Sequence, residues 1–228
     1  MTAFWMNMMW VAAAALLGFV VSALFAGKLR LPRSAFLLAY VPLAGGLVVW
    51  FGVCSRLDVL GTFASGWIWG TVGAVIVGTI AVRNVLRQEG SPRRKGAGVM
   101  LDIVWPGALY GLVDALLLSV LPVIAVRQAL APFTWTSGWI GQAGVGASAL
   151  IASVVVTVAY HVGYPEFRNS QVWWTVLGNG LMTIAYLATG NPLAAILPHI
   201  AMHIAAMLHG RETTLQLPPH YATSSRAA

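Results

Sequence analysis

The stretch AFWMNMMWVAAAALLGFVVSALFA occupies residues 3–26 and contains no charged side chain. A segment this long and apolar can cross the hydrocarbon core of a bilayer, which takes about 20 residues of α-helix. The whole chain has the same character, since 59% of its 228 residues are hydrophobic, 8% are charged and the mean hydropathy is +0.80. The sequence therefore predicts an all-α protein that crosses the membrane several times.

Runs of about 20 apolar residues predict a bundle of about seven transmembrane helices. The predicted spans are Ala3–Ala26, Ser34–Cys54, Val59–Val82, Gly107–Ala131, Gly138–His161, Gln171–Thr189 and Pro192–His209. The apolar residues 99–106 lead into the fourth span, which we expect Pro106 to bend. No repeat or domain linker interrupts this pattern, so one compact bundle is the simplest organisation.

Positive charge predicts the orientation, because lysine and arginine are enriched on the cytoplasmic side of a membrane. With the N-terminus outside and the C-terminus in the cytoplasm, eleven of the thirteen basic residues fall in the cytoplasm; the two others are Arg56 and Arg127. The net charge of +7 is then mostly a topology signal, and no nucleic-acid partner is expected. Contact of the basic loop at residues 83–95 with anionic lipid heads is the alternative explanation for that charge.

The chain divides into three predicted parts. Residues 1–98 form an N-terminal three-helix membrane part, which carries the basic cytoplasmic loop 83–95, and residues 99–209 form a four-helix core. Residues 210–228 form a polar cytoplasmic tail that we expect to be poorly ordered. The lone Cys54 offers neither an intramolecular disulfide nor a thiolate metal site. Short loops and the Ala-, Val- and Arg-rich composition suit a bacterial inner membrane.

Two histidines four residues apart mark the seventh span. His199 and His203 are separated by about 6 Å of rise and about 40° of rotation on a helix, so both rings project from one face. His161 ends the fifth span. Polar groups inside a bilayer are costly unless they are paired, so these rings are expected to find partners or a cavity. For Asp102 and Asp114, in or near the fourth span, an interhelical hydrogen bond is the simplest interpretation.

Residues 187–203, LATGNPLAAILPHIAMH, and the fifth span closing on His161 resemble two motifs of the CPBP intramembrane metalloproteases, the CAAX-protease and bacteriocin-processing group. The resemblance covers roughly residues 107–208. It implies that His161, His199 and His203 correspond to the metal-site positions of that family, and it implies Zn²⁺ or a similar divalent metal as cofactor. Three imidazoles with one open position suit catalytic zinc.

The first motif of that family, Glu-Glu, three residues and then Arg, is degenerate in this chain. Its best match is PVIAVR at residues 122–127, which keeps the motif arginine as Arg127 but replaces the glutamates with Pro122 and Val123. Neither replacement can activate a water molecule. Asp114 and Glu166 are the candidate substitutes for the missing base.

Two hypotheses from different classes follow. The first is a catalytically altered or inactive protein that acts as a scaffold or accessory subunit, with a membrane-protein partner or a lipidic ligand in the former active-site cavity. The second is a functioning metal-dependent intramembrane endopeptidase that processes prenylated or membrane-proximal peptides. Loss of both glutamates favours the first, and retention of three histidines favours metal binding. A transporter or channel subunit is the remaining alternative.

Overall fold

The computed structural model describes residues 3–92 and 96–220, which are mostly helical and contain no strand within those ranges. We label the main helices α1 (Ala3–Lys28), α2 (Arg33–Cys54), α3 (Val59–Ala64), α4 (Trp67–Leu86), α5 (Ala97–Leu130), α6 (Trp139–Gly163), α7 (Val172–Thr189) and α8 (Leu193–His209). The predictions for residues 93–95 and 221–228 lie outside the described ranges.

Five of these helices are long and apolar enough to cross a membrane: α1, α2, α4, α5 and α6. The apolar α8 is shorter, and α7 is not among the five although it has 18 residues. The described chain is therefore all-helical, with several segments able to lie in a bilayer.

The third predicted span is wrong in one respect, because its helix is interrupted between α3 and α4. Ser65 has an extended backbone, and Gly66 has a φ of +66°, a left-handed conformation that glycine adopts without strain. The short α3 is capped by Asp58, whose carboxylate accepts the Gly61 N–H at 2.9 Å. Only α4 therefore has the length of a span.

The fourth span is longer than predicted, because the apolar lead-in is continuous with α5. Two widened π-helical turns, at Ile103–Leu109 and Leu116–Val120, accompany the prolines, so the helix continues past them. Pro122 has no N–H to give to the carbonyl of Leu118, four residues earlier. The Ser153 hydroxyl of α6 donates to that carbonyl at 2.6 Å, which satisfies it.

Both predicted membrane parts contribute to one bundle. Helix α8 packs along α4 and α5, and α1 packs along α6 and α5. A glycine allows the close approach of α5 to α8: a Cβ atom at Gly111 would lie 2.9 Å from the His199 carbonyl oxygen and 2.9 Å from the Ile200 Cα. This contact holds α5 against the half of α8 that carries the two histidines.

The tail was predicted to be poorly ordered, but its described part, residues 210–220, packs against the bundle. Residues 210–220, which we call the strap, pack across one end of the bundle, and Leu217 is fully buried. The Arg33 guanidinium donates to the Leu217 carbonyl at 2.8 Å, and the Leu215 N–H donates to the Gln88 side chain at 3.0 Å. Side chains of the bundle thus form hydrogen bonds with the backbone of the strap. The polar composition of the strap does not predict these contacts.

Candidate intramembrane site

The turn before α8 fixes the position of the two histidines. Gly190 ends α7 with a φ of +71°, and Asn191 follows it. The Asn191 side-chain oxygen accepts the Leu193 N–H at 3.0 Å, and its amide donates to the Ser65 carbonyl at 2.8 Å. Asn191 therefore satisfies the first N–H of α8 and ties the first turn of this helix to the α3–α4 connection.

His199 and His203 lie on one face of α8, as their spacing predicts. Their ring centroids are 6.3 Å apart with an interplanar angle of 29°, and the residues are only 3% and 2% exposed. The His203 ring also meets the edge of Tyr110 on α5, with centroids 4.6 Å apart. The pair is buried against α5.

Asp114 is the carboxylate that the fold brings to this pair. Its Oδ2 lies 3.6 Å from Nε2 of His203, a distance at which a protonated imidazole forms an ion pair. Its Oδ1 accepts the Tyr40 hydroxyl hydrogen at 2.5 Å. Asp114 is 4% exposed, and these partners reduce the cost of burying a carboxylate. Tyr40 belongs to α2, so the N-terminal helices also contribute to the site.

Backbone carbonyls orient two of the imidazoles. Nδ1 of His161 lies 2.8 Å from the Thr157 carbonyl oxygen, and Nδ1 of His199 lies 3.3 Å from that of Ala195. A carbonyl only accepts, so Nδ1 carries the hydrogen in both rings and Nε2 keeps the lone pair when the ring is neutral. Nδ1 of His203 is buried without a hydrogen-bond partner in the described part of the chain.

A cavity of about 640 Å³ connects these groups with one end of the bundle. At its inner end, the floor, the cavity is lined by four of the predicted site residues: Asp114, His161, His199 and His203. At its other end, the mouth, it is lined by Arg83 of the last turn of α4, by Arg87 and Gln88 just after that helix, and by Leu215 and Gln216 of the strap. Apolar side chains of α4 and α7 line the space between the floor and the mouth.

The donors at the floor have the chemistry of a divalent metal site, but they are not gathered into one. Imidazoles that donate a hydrogen bond from Nδ1 to a backbone carbonyl and keep a free lone pair on Nε2 are typical zinc ligands. Within residues 3–92 and 96–220, however, no group of three or more His, Cys, Asp or Glu side chains is close enough to hold an ion. The side chains would have to move toward each other to bind a metal.

Two predicted site residues lie elsewhere. The Glu166 carboxylate accepts the backbone N–H of His220 in the strap at 2.9 Å, and burial raises the pKa of this carboxyl above its usual value. Arg127 is exposed and lies over the ring of Tyr186, with Cζ 5.8 Å from the centroid. Neither residue lines the cavity, so of the two candidate bases only Asp114 reaches it.

A buried hydrogen-bond network beside the floor was not anticipated from the sequence. Asn179 of α7 donates to Thr157 at 2.6 Å and to Ser153 at 3.0 Å, and it accepts from Ser119 at 2.8 Å. Ser119 and Ser153 each lie 2.9 Å from the Thr183 hydroxyl. The signal was five polar residues inside apolar spans, which tie α5, α6 and α7 together.

A second unanticipated group is a chain of tyrosine hydroxyls. The Tyr164 hydroxyl donates to that of Tyr160 at 2.7 Å, and the Tyr110 hydroxyl lies 2.8 Å from the same oxygen. The ring of Tyr40 stacks on Tyr160 with centroids 5.2 Å apart. These rings pack beside Asp114 and help to hold Tyr40 in reach of it.

No family model, curated protein or solved structure matches the chain. The resemblance to the CPBP family therefore stays a prediction that rests on the motif residues. The chemistry of the site depends on its own donors, acceptors and shape.

Proposed function

We propose that this chain is a catalytically altered, CPBP-like integral membrane protein whose intramembrane cavity binds a lipidic ligand. The cavity carries the proposal: its volume of about 640 Å³ suits a small ligand, and it combines a polar floor with apolar walls. The absence of glutamates at positions 122 and 123, where Pro122 and Val123 stand, argues against hydrolysis by the mechanism of the family.

The proposed topology has seven spans, with α7 and α8 joining the five longer helices. The N-terminus lies outside, the C-terminus lies in the cytoplasm, and the membrane is a bacterial inner membrane. The basic residues support this orientation. It can be tested with Cys54, which is exposed at the end of α2. A membrane-impermeant maleimide should label Cys54 in intact cells, whereas a Cys54→Ser/Ser91→Cys variant should be labelled only after lysis.

The binding proposal can be tested by native mass spectrometry of protein extracted into polymer-bounded discs. We expect one retained amphiphile per chain. Gly178 lines the cavity, and a Cβ atom added to it would have no neighbour within 4 Å, so Gly178→Phe should fill the space and reduce retention. Gly146→Phe on α6, which also has open space around it, is the matched control and should retain the ligand. Equal retention by all three proteins would reject the proposal, and a stoichiometric membrane protein in its place would indicate an accessory subunit.

A second candidate function is a metal-dependent intramembrane endopeptidase. The proximity of Asp114 to His203 favours it, because it puts a carboxylate beside the imidazoles. His161, His199 and His203 would hold Zn²⁺ or a similar divalent ion, which when bound would polarise the peptide carbonyl. Asp114 would accept a proton in place of the missing glutamates.

The two candidates predict different results for metal content and cleavage. An endopeptidase purified without chelator should carry about one equivalent of zinc or a similar ion, and His199→Ala should lose it. It should also cleave a prenylated or membrane-proximal peptide, and Asp114→Asn should abolish that cleavage. A protein that retains a lipid but neither carries metal nor cleaves peptide matches the first candidate.

A further inference from the structure

The cavity lies between α4 and α7, which contact each other at one end only. Near the start of α4, a Cβ atom at Gly73 would lie 3.0 Å from Thr189 and 3.9 Å from Ala185 of α7. Toward the other end of the same two helices, both line the cavity instead. The helices therefore touch at one end and leave a gap at the other.

The gap opens to the side of the bundle. Three apolar residues that line it are also strongly exposed: Ile80 of α4 is 50% exposed, and Leu177 and Trp174 of α7 are 62% and 67% exposed. In a membrane this exposed apolar surface faces hydrocarbon. A lipid chain can therefore reach the cavity from the bilayer without crossing a polar surface.

Two arginines stand at the mouth of this gap. Arg83 lies in the last turn of α4, and Arg87 follows the last residue of that helix with a helical backbone conformation, so the two side chains, four residues apart, share one face. Both line the cavity. Neither forms an ion pair within the described ranges. Asp114, at the floor, is the one acidic residue among the described cavity-lining residues. Among the described residues, the mouth therefore has two positive charges without an ion-pair partner where the apolar gap ends.

We propose that the ligand is an anionic lipid, with a phosphate headgroup at Arg83 and Arg87 and a hydrocarbon chain in the gap between α4 and α7. Guanidinium groups match phosphate geometry with paired hydrogen bonds, and the adjacent apolar wall takes the chain. The strap closes the other side of the mouth, where the Gln88 amide donates to the Gln216 side chain at 2.9 Å. This inference rests on the proposed function and adds the charge and position of the ligand.

The test compares two lipids that share one oleoyl chain, lysophosphatidic acid and lysophosphatidylcholine, by titration of the full-length protein in nanodiscs of neutral lipid. We expect saturable binding that favours the acid. Arg87→Gln should lower the affinity for lysophosphatidic acid about tenfold, as expected for loss of a charge-assisted hydrogen bond. The double variant Arg83→Gln/Arg87→Gln should lower this affinity further. Both variants should weaken binding of the choline lipid less, because its ammonium group offsets the negative charge of its phosphate.

Lys28→Gln is the matched control, because Lys28 is an exposed cation at the end of α1 that does not line the cavity. It should bind both lipids as the wild type does. Equal affinity for the two lipids, with no effect of the arginine substitutions, would overturn the anionic-lipid inference and leave the binding proposal standing. Absence of saturable binding for either lipid would overturn both. Displacement of the acid by millimolar inorganic phosphate would show that the arginines select free phosphate and not a lipid.

Discussion

Oδ2 of Asp114 lies 3.6 Å from Nε2 of His203, while the other carboxylate oxygen of Asp114 accepts the Tyr40 hydroxyl hydrogen. One buried carboxylate thus joins α2, α5 and α8 at the floor of the cavity. A lone carboxylate in this position would be costly, so these contacts should contribute measurably to stability.

Asp114→Ala should destabilise the protein, because it leaves the Tyr40 hydroxyl and Nε2 of His203 buried without this acceptor. The expected loss is about 1–3 kcal/mol, visible as a lower midpoint of thermal unfolding in a mild detergent. Asp114→Asn keeps an oxygen for Tyr40 and should lose less. Ser148→Ala, at an exposed position on α6, is the control. An Asp114→Ala midpoint equal to that of the control would contradict the contact.

Gly111→Ala should separate α5 from α8, because the added methyl would lie 2.9 Å from the backbone of His199 and Ile200. Overpacking of this kind costs about 1–3 kcal/mol. Gly146→Ala is the matched control, since nothing lies within 4 Å of its Cβ position, and it should be neutral or slightly stabilising. The thermal midpoints of the two variants measure the difference; if they coincide, the close helix contact is incorrect.

Asn179→Leu should weaken the hydrogen-bond network, because Thr157, Ser153 and Ser119 each lose a partner. Interhelical hydrogen bonds in membrane proteins are worth about 0.6 kcal/mol on average, so three suggest a loss of about 2 kcal/mol. Asn7→Leu removes a half-buried amide whose hydrogen bond stays within α1, and should have little effect. Chemical unfolding in mixed micelles provides the comparison, and a stable Asn179→Leu variant would show that the network is dispensable.

The strap should loosen as the pH falls from about 7.5 to about 5.5. Burial, aided by the charge of Arg33, lowers the pKa of His220 below its usual value of 6.5, whereas the hydrogen bond to the Thr214 carbonyl and the charge of Glu212 oppose this. Protonation is therefore easier in the released strap, so the stability that neutral His220 contributes is complete above the usual pKa and is lost as the pH falls. Burial raises the pKa of Glu166 above 4.5, which opposes the change at lower pH.

Hydrogen exchange of residues 213–220, corrected for the intrinsic effect of pH, measures this release. The Leu215 amide is an informative probe, because it donates to Gln88, just beyond the end of α4. His220→Gln cannot titrate and should remove most of the pH dependence. Protection that is independent of pH in the wild type would rule out His220 as the titrating group.

Length and apolar composition were enough to predict an all-helical membrane protein, and the spacing of His199 and His203 was enough to predict their shared face. The position of Asp114 beside His203 could not be predicted from the sequence, because it depends on the close approach of α5 and α8 at Gly111. Tyr40 lies 74 residues from Asp114, and no local pattern predicts a contact at that separation.

Local backbone chemistry explains the errors in the span boundaries. Gly66 interrupts an apolar run that looks continuous from composition alone. Pro106 lies inside α5, where a π-helical turn accommodates it, so the lead-in is part of the helix. The strap has the composition of a disordered tail, but Leu217 is buried and side chains of the bundle form hydrogen bonds with the strap backbone. These contacts form only when the strap packs against the helices, so the local sequence does not predict them.

The central claim, that a lipid chain occupies the cavity between α4 and α7, is tested most directly by photo-crosslinking in membranes with a diazirine-labelled fatty acyl lipid. Peptide mapping should place saturable labelling, which excess unlabelled lipid suppresses, on residues 174–182 and 199–203. Labelling of the exposed Ile151 on α6 should not saturate, because it reports only surrounding lipid. Saturable labelling absent from residues 174–182 and 199–203, or unchanged in Gly178→Phe, would contradict the account.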